Sequence, residues 1–71
     1  MGTHLSRRER KKRETRSRLI KEALRLFSTH GYDDTTVEQI AEAADVAKGT
    51  FFNYFETKDT VLPALAEWRL L

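Results

Sequence analysis

Seventy-one residues allow one domain, and a core of that size is marginal without a metal, disulfides or a partner. The chain has no cysteine, which excludes a disulfide framework and thiolate zinc sites, and its two histidines, His4 and His30, lack ligand spacing. The net charge of +2 conceals an asymmetry: residues 1–25 carry ten Lys/Arg against three Glu, whereas residues 26–71 carry three Lys/Arg against eight acidic residues.

A basic block beside a mildly acidic body suits a polyanion, and it equally suits a solvated helix face, a localisation signal or a membrane-surface patch. No segment has the apolar length of a membrane span, and no apolar stretch follows the basic start, so a cytoplasmic protein is expected. Glycine and proline are scarce and the apolar spacing is helical throughout, so the expected fold class is all-α.

The first helix carries Leu19, Ile20, Ala23, Leu24 and Phe27 on one stripe and ends at Gly31, where a left-handed backbone closes helices. Two beginnings are open. Ser6 and Glu9 have the spacing of a capping box, and residues 1–12 have almost nothing to bury, as in a flexible basic arm. After a turn over Tyr32–Thr35, Thr36 and Gln39 predict a capped second helix with Val37, Ile40, Ala41 and Ala44 on its apolar face. Thr35 with Glu38 is a competing cap. Asp45 ends this helix after about two turns, at a position that favours glycine; aspartate tolerates a positive φ there at some strain.

A third helix is expected over Lys48–Tyr54, in the stretch VAKGTFFNYFETKD, which crowds Phe51, Phe52, Tyr54 and Phe55 into five positions. Phe51 and Phe55 are four apart and share one face, with Tyr54 alongside, so half the rings serve to hold down a helix too short to be stable alone. Lys48, Gly49 and Thr50 face outward with Phe52 and Asn53. Gly49 admits a close approach to the backbone, and a helix N-terminus favours an anion. A fourth helix starts near Thr57, with Val61, Leu62, Leu65, Ala66 and Trp68 on its apolar face. Pro63 inside it predicts a bend or a loose first turn. The apolar pattern is still running at Leu71, as in the first domain of a longer protein.

Two short helices joined by about three residues, with small Ala41 at the crossing and Phe51 as the anchor of the second, form a helix-turn-helix pattern. The stretch TTVEQIAEAADVAKGTFFNYFETKDTVL resembles the DNA-binding domain of the TetR (tetracycline repressor) family of bacterial transcriptional regulators, whose pattern is T-T-x-x-x-I-A-x-x-A-G-V-S-x-G-T-x-Y-x-Y-F-x-S-K-x-x-L. The likeness runs from about Arg16 to Leu65 and includes Phe27, Gly31 and Tyr32. It implies a small homeodomain-like bundle of four helices, the last one truncated. It divides the chain into an arm over residues 1–12, a helix-turn-helix domain over 13–57, and, over 58–71, the start of a helix leading to a C-terminal domain that these residues do not include.

The resemblance also assigns roles. Thr36 caps the second helix and Val37 lies near the DNA; Lys48, Gly49 and Thr50 meet bases and phosphates; Phe52 and Tyr54 sit against the sugar-phosphate backbone or a thymine methyl; Lys58 binds a phosphate. The departures are Asp45 for glycine, Ala47 for serine, and Phe52 for tyrosine, which removes a hydroxyl donor. The implied protein is a homodimeric, ligand-responsive repressor on a palindromic operator in double-stranded DNA, with its effector and dimer contacts in the C-terminal domain. It is no enzyme and uses no cofactor.

Each assignment has a plainer counterpart. Lys48 and Lys58 suit solvated first turns, Phe52 suits the core, and Asn53 either pairs with adenine or faces solvent. Tyr54 divides between core and phosphate. Glu38 lies near the expected DNA side, so it either accepts from a cytosine N4 donor or turns away. As a whole, the chain also suits a helical protein-interaction module whose basic arm holds an acidic partner. An enzyme finds no support, since no phosphate loop and no paired carboxylates are visible.

Overall fold

The computed structural model describes residues 6–64. Ser6 opens the first helix, α1, Arg7–His30. Its N–H donates to Glu9 Oε1 at 3.0 Å, and the Glu9 N–H donates to Ser6 Oγ at 3.1 Å. The first of these bonds, from the Ser6 backbone N–H, is the main cause holding the Glu9 carboxyl below the usual carboxylate range. The capping box therefore decides where the helix begins, and the arm expected over residues 1–12 is corrected: Arg7–Lys12 are already α1. Lysine and arginine are good helix formers, which favours this extension, while the like charges four apart, Arg7 with Lys11 and Arg8 with Lys12, work against it. Residues 1–5, with His4, lie outside the described residues.

Only the second half of α1 has a core to cover. Leu19, Ile20, Ala23 and Leu26 are buried there. Leu24 and Phe27, expected on the buried stripe, are half-buried flanks, and Leu26, three residues after Ala23, takes the inner place. Gly31 closes α1 with φ 88 and ψ 154, its N–H donating to the Phe27 carbonyl at 2.9 Å. The positive φ is as expected, but ψ lies outside the left-handed helical basin.

Thr35 is buried at 1 % exposure, and its hydroxyl donates to the Gly31 carbonyl at 2.8 Å, so it is unavailable as a cap. Thr36 caps α2, Val37–Ala43, through the reciprocal pair with Gln39. At the far end the Asp45 N–H donates to the Glu42 carbonyl and the Val46 N–H to the Ala41 carbonyl, the paired bonds of a Schellman closure. Asp45 supplies the left-handed residue at φ 62. α3 spans Lys48–Tyr54, and its cap residue Ala47 offers no side-chain bond. Phe51 is fully buried and Phe55 nearly so, their ring centroids 5.5 Å apart.

The fourth helix begins as a 3-10 turn, Lys58–Thr60, and residues 61–64 are helical. The tight start fits Pro63, which has no N–H to return to the Asp59 carbonyl. Val61 and Ala64 are buried, whereas Leu62, expected on the apolar face, is 44 % exposed, because the inward face takes positions three apart. Leu65, Ala66 and Trp68 lie outside the described residues. One core joins all four segments: Leu19, Ile20, Ala23 and Leu26 of α1, Ile40, Ala41 and Ala44 around α2, Phe51 and Phe55 at α3, and Val61 and Ala64. At its edge the Arg16 guanidinium lies 5.6 Å from the Phe55 ring centroid, and Arg18 Nη1 donates to the Ala44 carbonyl at 3.4 Å. Among the described residues there is no strand, no helix long and apolar enough to cross a membrane, and no cluster of metal-ligating side chains.

Candidate nucleic-acid interface

The burial of Phe51 and Phe55 fixes the rotation of α3 and so decides what its other face shows. Lys48, Gly49, Phe52 and Asn53 are exposed, while Thr50 and Tyr54 are half-buried. Phe52, 45 % exposed, stands edge-on to Phe51 with centroids 5.4 Å apart, so its core reading is set aside. A phenylalanine that could have turned inward is instead an apolar projection on an otherwise polar face.

Gly49 is informative for the opposite reason. It lies within α3, its φ is not positive, and a Cβ added there meets no atom within 4 Å. Nothing inside the fold requires glycine at this place, and glycine in a helix costs about 1 kcal/mol relative to alanine. A surface that approaches the backbone from outside supplies a reason that the fold does not.

At the start of α2, Thr36 is exposed and Val37 half-buried. Glu38 follows them. Its carboxylate accepts from Lys48 Nζ at 2.8 Å, joining the first turns of α2 and α3 across solvent. The Lys48 hydrogen bond is the main cause holding the Glu38 carboxyl below its usual range, and the ammonium charge adds to it.

Lys58 is placed differently. Its Nζ donates to the carbonyls of Tyr32 and Thr35 at 2.7 and 2.9 Å and lies 4.1 Å from the Tyr32 ring centroid. The Tyr32 hydroxyl donates to the Asp59 carboxylate. These bonds clasp the α1–α2 turn to the start of the fourth helix and set Lys58 beside the cap of α2, with one ammonium donor left.

At the far end of α3, Tyr54 lines a shallow concavity with Arg7, Arg8, Lys11 and Lys12. Sequence reasoning missed this basic wall, although the Ser6–Glu9 spacing carried the signal for it. It also missed the partners of Lys48 and Lys58, for which no local signal exists.

The sequence pattern described as "Bacterial regulatory proteins, tetR family" matches residues 19–65, well over half of the chain. The HTH-type transcriptional regulator TcmR of Streptomyces glaucescens is 57 % identical over 54 residues, which cover 76 % of this chain and 24 % of that protein. The HTH-type transcriptional regulator HbdR of Aromatoleum sp. (strain CIB) is 45 % identical over 49 residues, 69 % of this chain and 21 % of that protein. The HTH-type transcriptional repressor DhaR of Mycobacterium sp. (strain GP1) is 39 % identical over 44 residues, 62 % and 22 % of the two. The matched region thus spans less than a quarter of each of these relatives. The helical bundle, the outward face of α3 and these likenesses together place the chain: it belongs to the TetR family of bacterial regulatory proteins, as a helix-turn-helix DNA-binding domain of a transcriptional regulator.

Proposed function

We propose that α3 is the recognition helix and docks in the major groove. Lys48, Gly49, Thr50 and Asn53 meet base edges and nearby phosphates. Phe52 and Tyr54 pack on the sugar-phosphate backbone or a thymine methyl, and Thr36 and Val37 bring the start of α2 against the duplex. The observation that carries this reading is Gly49, an exposed helical glycine with open space at its Cβ and no role in the fold. Lys58 holds the turn next to Thr36 and contributes its remaining donor to a phosphate.

The domain boundary falls near residue 57, and the fourth helix leads on to a C-terminal domain. That reading is supported by relatives about four times longer than the matched region. The whole protein then acts in the cytoplasm as a homodimeric repressor on a palindromic operator, released by a small molecule bound in the C-terminal domain. The repressor name of one relative supports this. One such domain alone binds weakly, since two linked domains on two half-sites multiply affinity.

A two-dimensional NMR titration of this chain, with random duplex and with genomic DNA enriched by the full-length regulator, tests the docking. The expected result is shifts centred on Lys48–Tyr54 and Val37, larger on the enriched DNA. Shifts confined to Arg7–Arg18 and equal on both duplexes would replace recognition by α3 with simple attraction to the basic end of α1.

A further inference from the structure

We infer that Glu38 is a specificity-determining positioning residue, which holds the Lys48 ammonium so that it serves the acceptor edge of a guanine in preference to a phosphate. The inference rests on the docking of α3 proposed above. Glu38 is the second residue of α2 and Lys48 the first of α3, and among the described residues theirs is the ion pair that joins two helices; the other, Arg25 with Glu22, lies within α1. Both side chains are more than half exposed, at 54 % and 63 %. An ion pair so placed adds little to folding. Stability therefore does not account for a carboxylate at the edge of a surface that meets a polyanion.

The chemistry of the pair does account for it. A lysine ammonium has three donors, and Glu38 takes one. The two left over match guanine, which presents O6 and N7 as neighbouring acceptors in the major groove. Lys48 can therefore donate to a guanine without releasing Glu38. A phosphate is a different partner: drawing it to the same ammonium brings a second anion against the carboxylate, or breaks the pair and leaves Glu38 uncompensated beside the backbone. The pair thus favours a neutral acceptor over a charged one. Attraction to the backbone is left to Arg7, Arg8, Lys11 and Lys12 beside Tyr54, at the other end of α3.

The test compares the full chain with its Glu38→Gln, Glu38→Ala and Lys48→Met variants. Each selects from a randomised duplex pool, and the enriched and unselected duplexes are then titrated over a range of salt. The parent is expected to enrich guanine at a fixed position of its site. Glu38→Gln and Glu38→Ala are expected to lower that preference roughly tenfold or more. Both should also tighten binding to unselected duplex, with a salt slope steeper by about one, because the released ammonium now neutralises a phosphate. Lys48→Met should lose the preference without gaining the slope. Unchanged guanine preference and slope in both Glu38 variants, or an equal weakening on all duplexes, would overturn the inference while leaving the docking intact. A parent that enriches no sequence would overturn both. Thermal unfolding followed by circular dichroism confirms that each variant is folded, as expected for exposed positions.

Discussion

The two faces of α3 are built under opposite constraints. Inward, Phe51 and Phe55 belong to the core they share with buried residues of α1, α2 and the fourth helix. Outward, Gly49 weakens the helix, Phe52 projects a ring, Ala47 leaves the N-terminus without a side-chain cap, and Lys48 is matched with a carboxylate. Residues that lower stability, or add nothing to it, gather on one side of a single two-turn helix. On the proposed docking, folding and binding are separable along α3, and substitutions on its two sides should move different observables.

The inward face gives the largest effect. Phe51→Ala deletes a fully buried ring and should cost about 3–5 kcal/mol. A domain of this length has a total stability of about 4–10 kcal/mol, so at least about a third of it is lost. Thermal unfolding by circular dichroism should show a midpoint lowered by roughly 12 °C or more, with DNA binding weakened wherever the chain is unfolded. A cooperative transition near the parent's would mean that the inward face is held by other contacts.

Lys58 comes next and tests whether a residue assigned to binding belongs to the fold. Its ammonium lies over the Tyr32 ring and satisfies two carbonyls, so Lys58→Ala should cost about 1–2 kcal/mol. Lys58→Met keeps the stem and loses only the donors, so it should recover part of that cost. If the remaining donor also meets a phosphate, both variants will bind with a salt slope shallower by about one when compared at equal folded fraction. An unchanged slope with reduced stability would make Lys58 a clasp and nothing more.

How much of this was legible in the sequence follows the range of each interaction. Caps and turns are local, so Ser6 with Glu9, Thr36 with Gln39, the left-handed Asp45 and the bounds of α3 could all be read from neighbours within four residues. The division of the α3 rings followed from helical spacing. The choice between Thr35 and Thr36 as cap did not, because it turns on a bond from Thr35 back to Gly31 that buries the hydroxyl. The clasp of Lys58 on Tyr32 closes over 26 residues and the Lys48–Glu38 pair over ten. No local pattern encodes either, and both change what their lysines are free to do. Leu62 was misassigned for a related reason: alternation within one turn cannot say which of two adjacent apolar residues the core accepts.

Gly49 separates the two faces more sharply than any core residue. Gly49→Ala puts a methyl into open space in a helix, so stability should rise, by up to about 1 kcal/mol. Sequence-specific binding should fall at the same time, because on the proposed docking the methyl would stand between the backbone and the duplex. Opposite signs in thermal unfolding and in titration with enriched duplex would show that this glycine is kept for its partner. A variant both more stable and equally tight would place the duplex elsewhere.

The smallest effect lies in the pH dependence of the Lys48–Glu38 pair. The folded Glu38 carboxyl titrates below its ordinary value of 4.5, chiefly because Lys48 donates to it. A depressed folded value means that the pair's contribution is present above about pH 4.5 and is lost as pH falls through the lower folded value. Acid therefore neutralises the carboxylate that holds the Lys48 ammonium and breaks the pair. Parent and Glu38→Gln should therefore differ slightly in unfolding midpoint at neutral pH and converge in acid. Glu9 is held down by Ser6 in both chains and cancels in the difference. A difference that persists unchanged into acid would show that Glu38 acts through something other than its charge, and the same result would remove the physical basis for its control of Lys48.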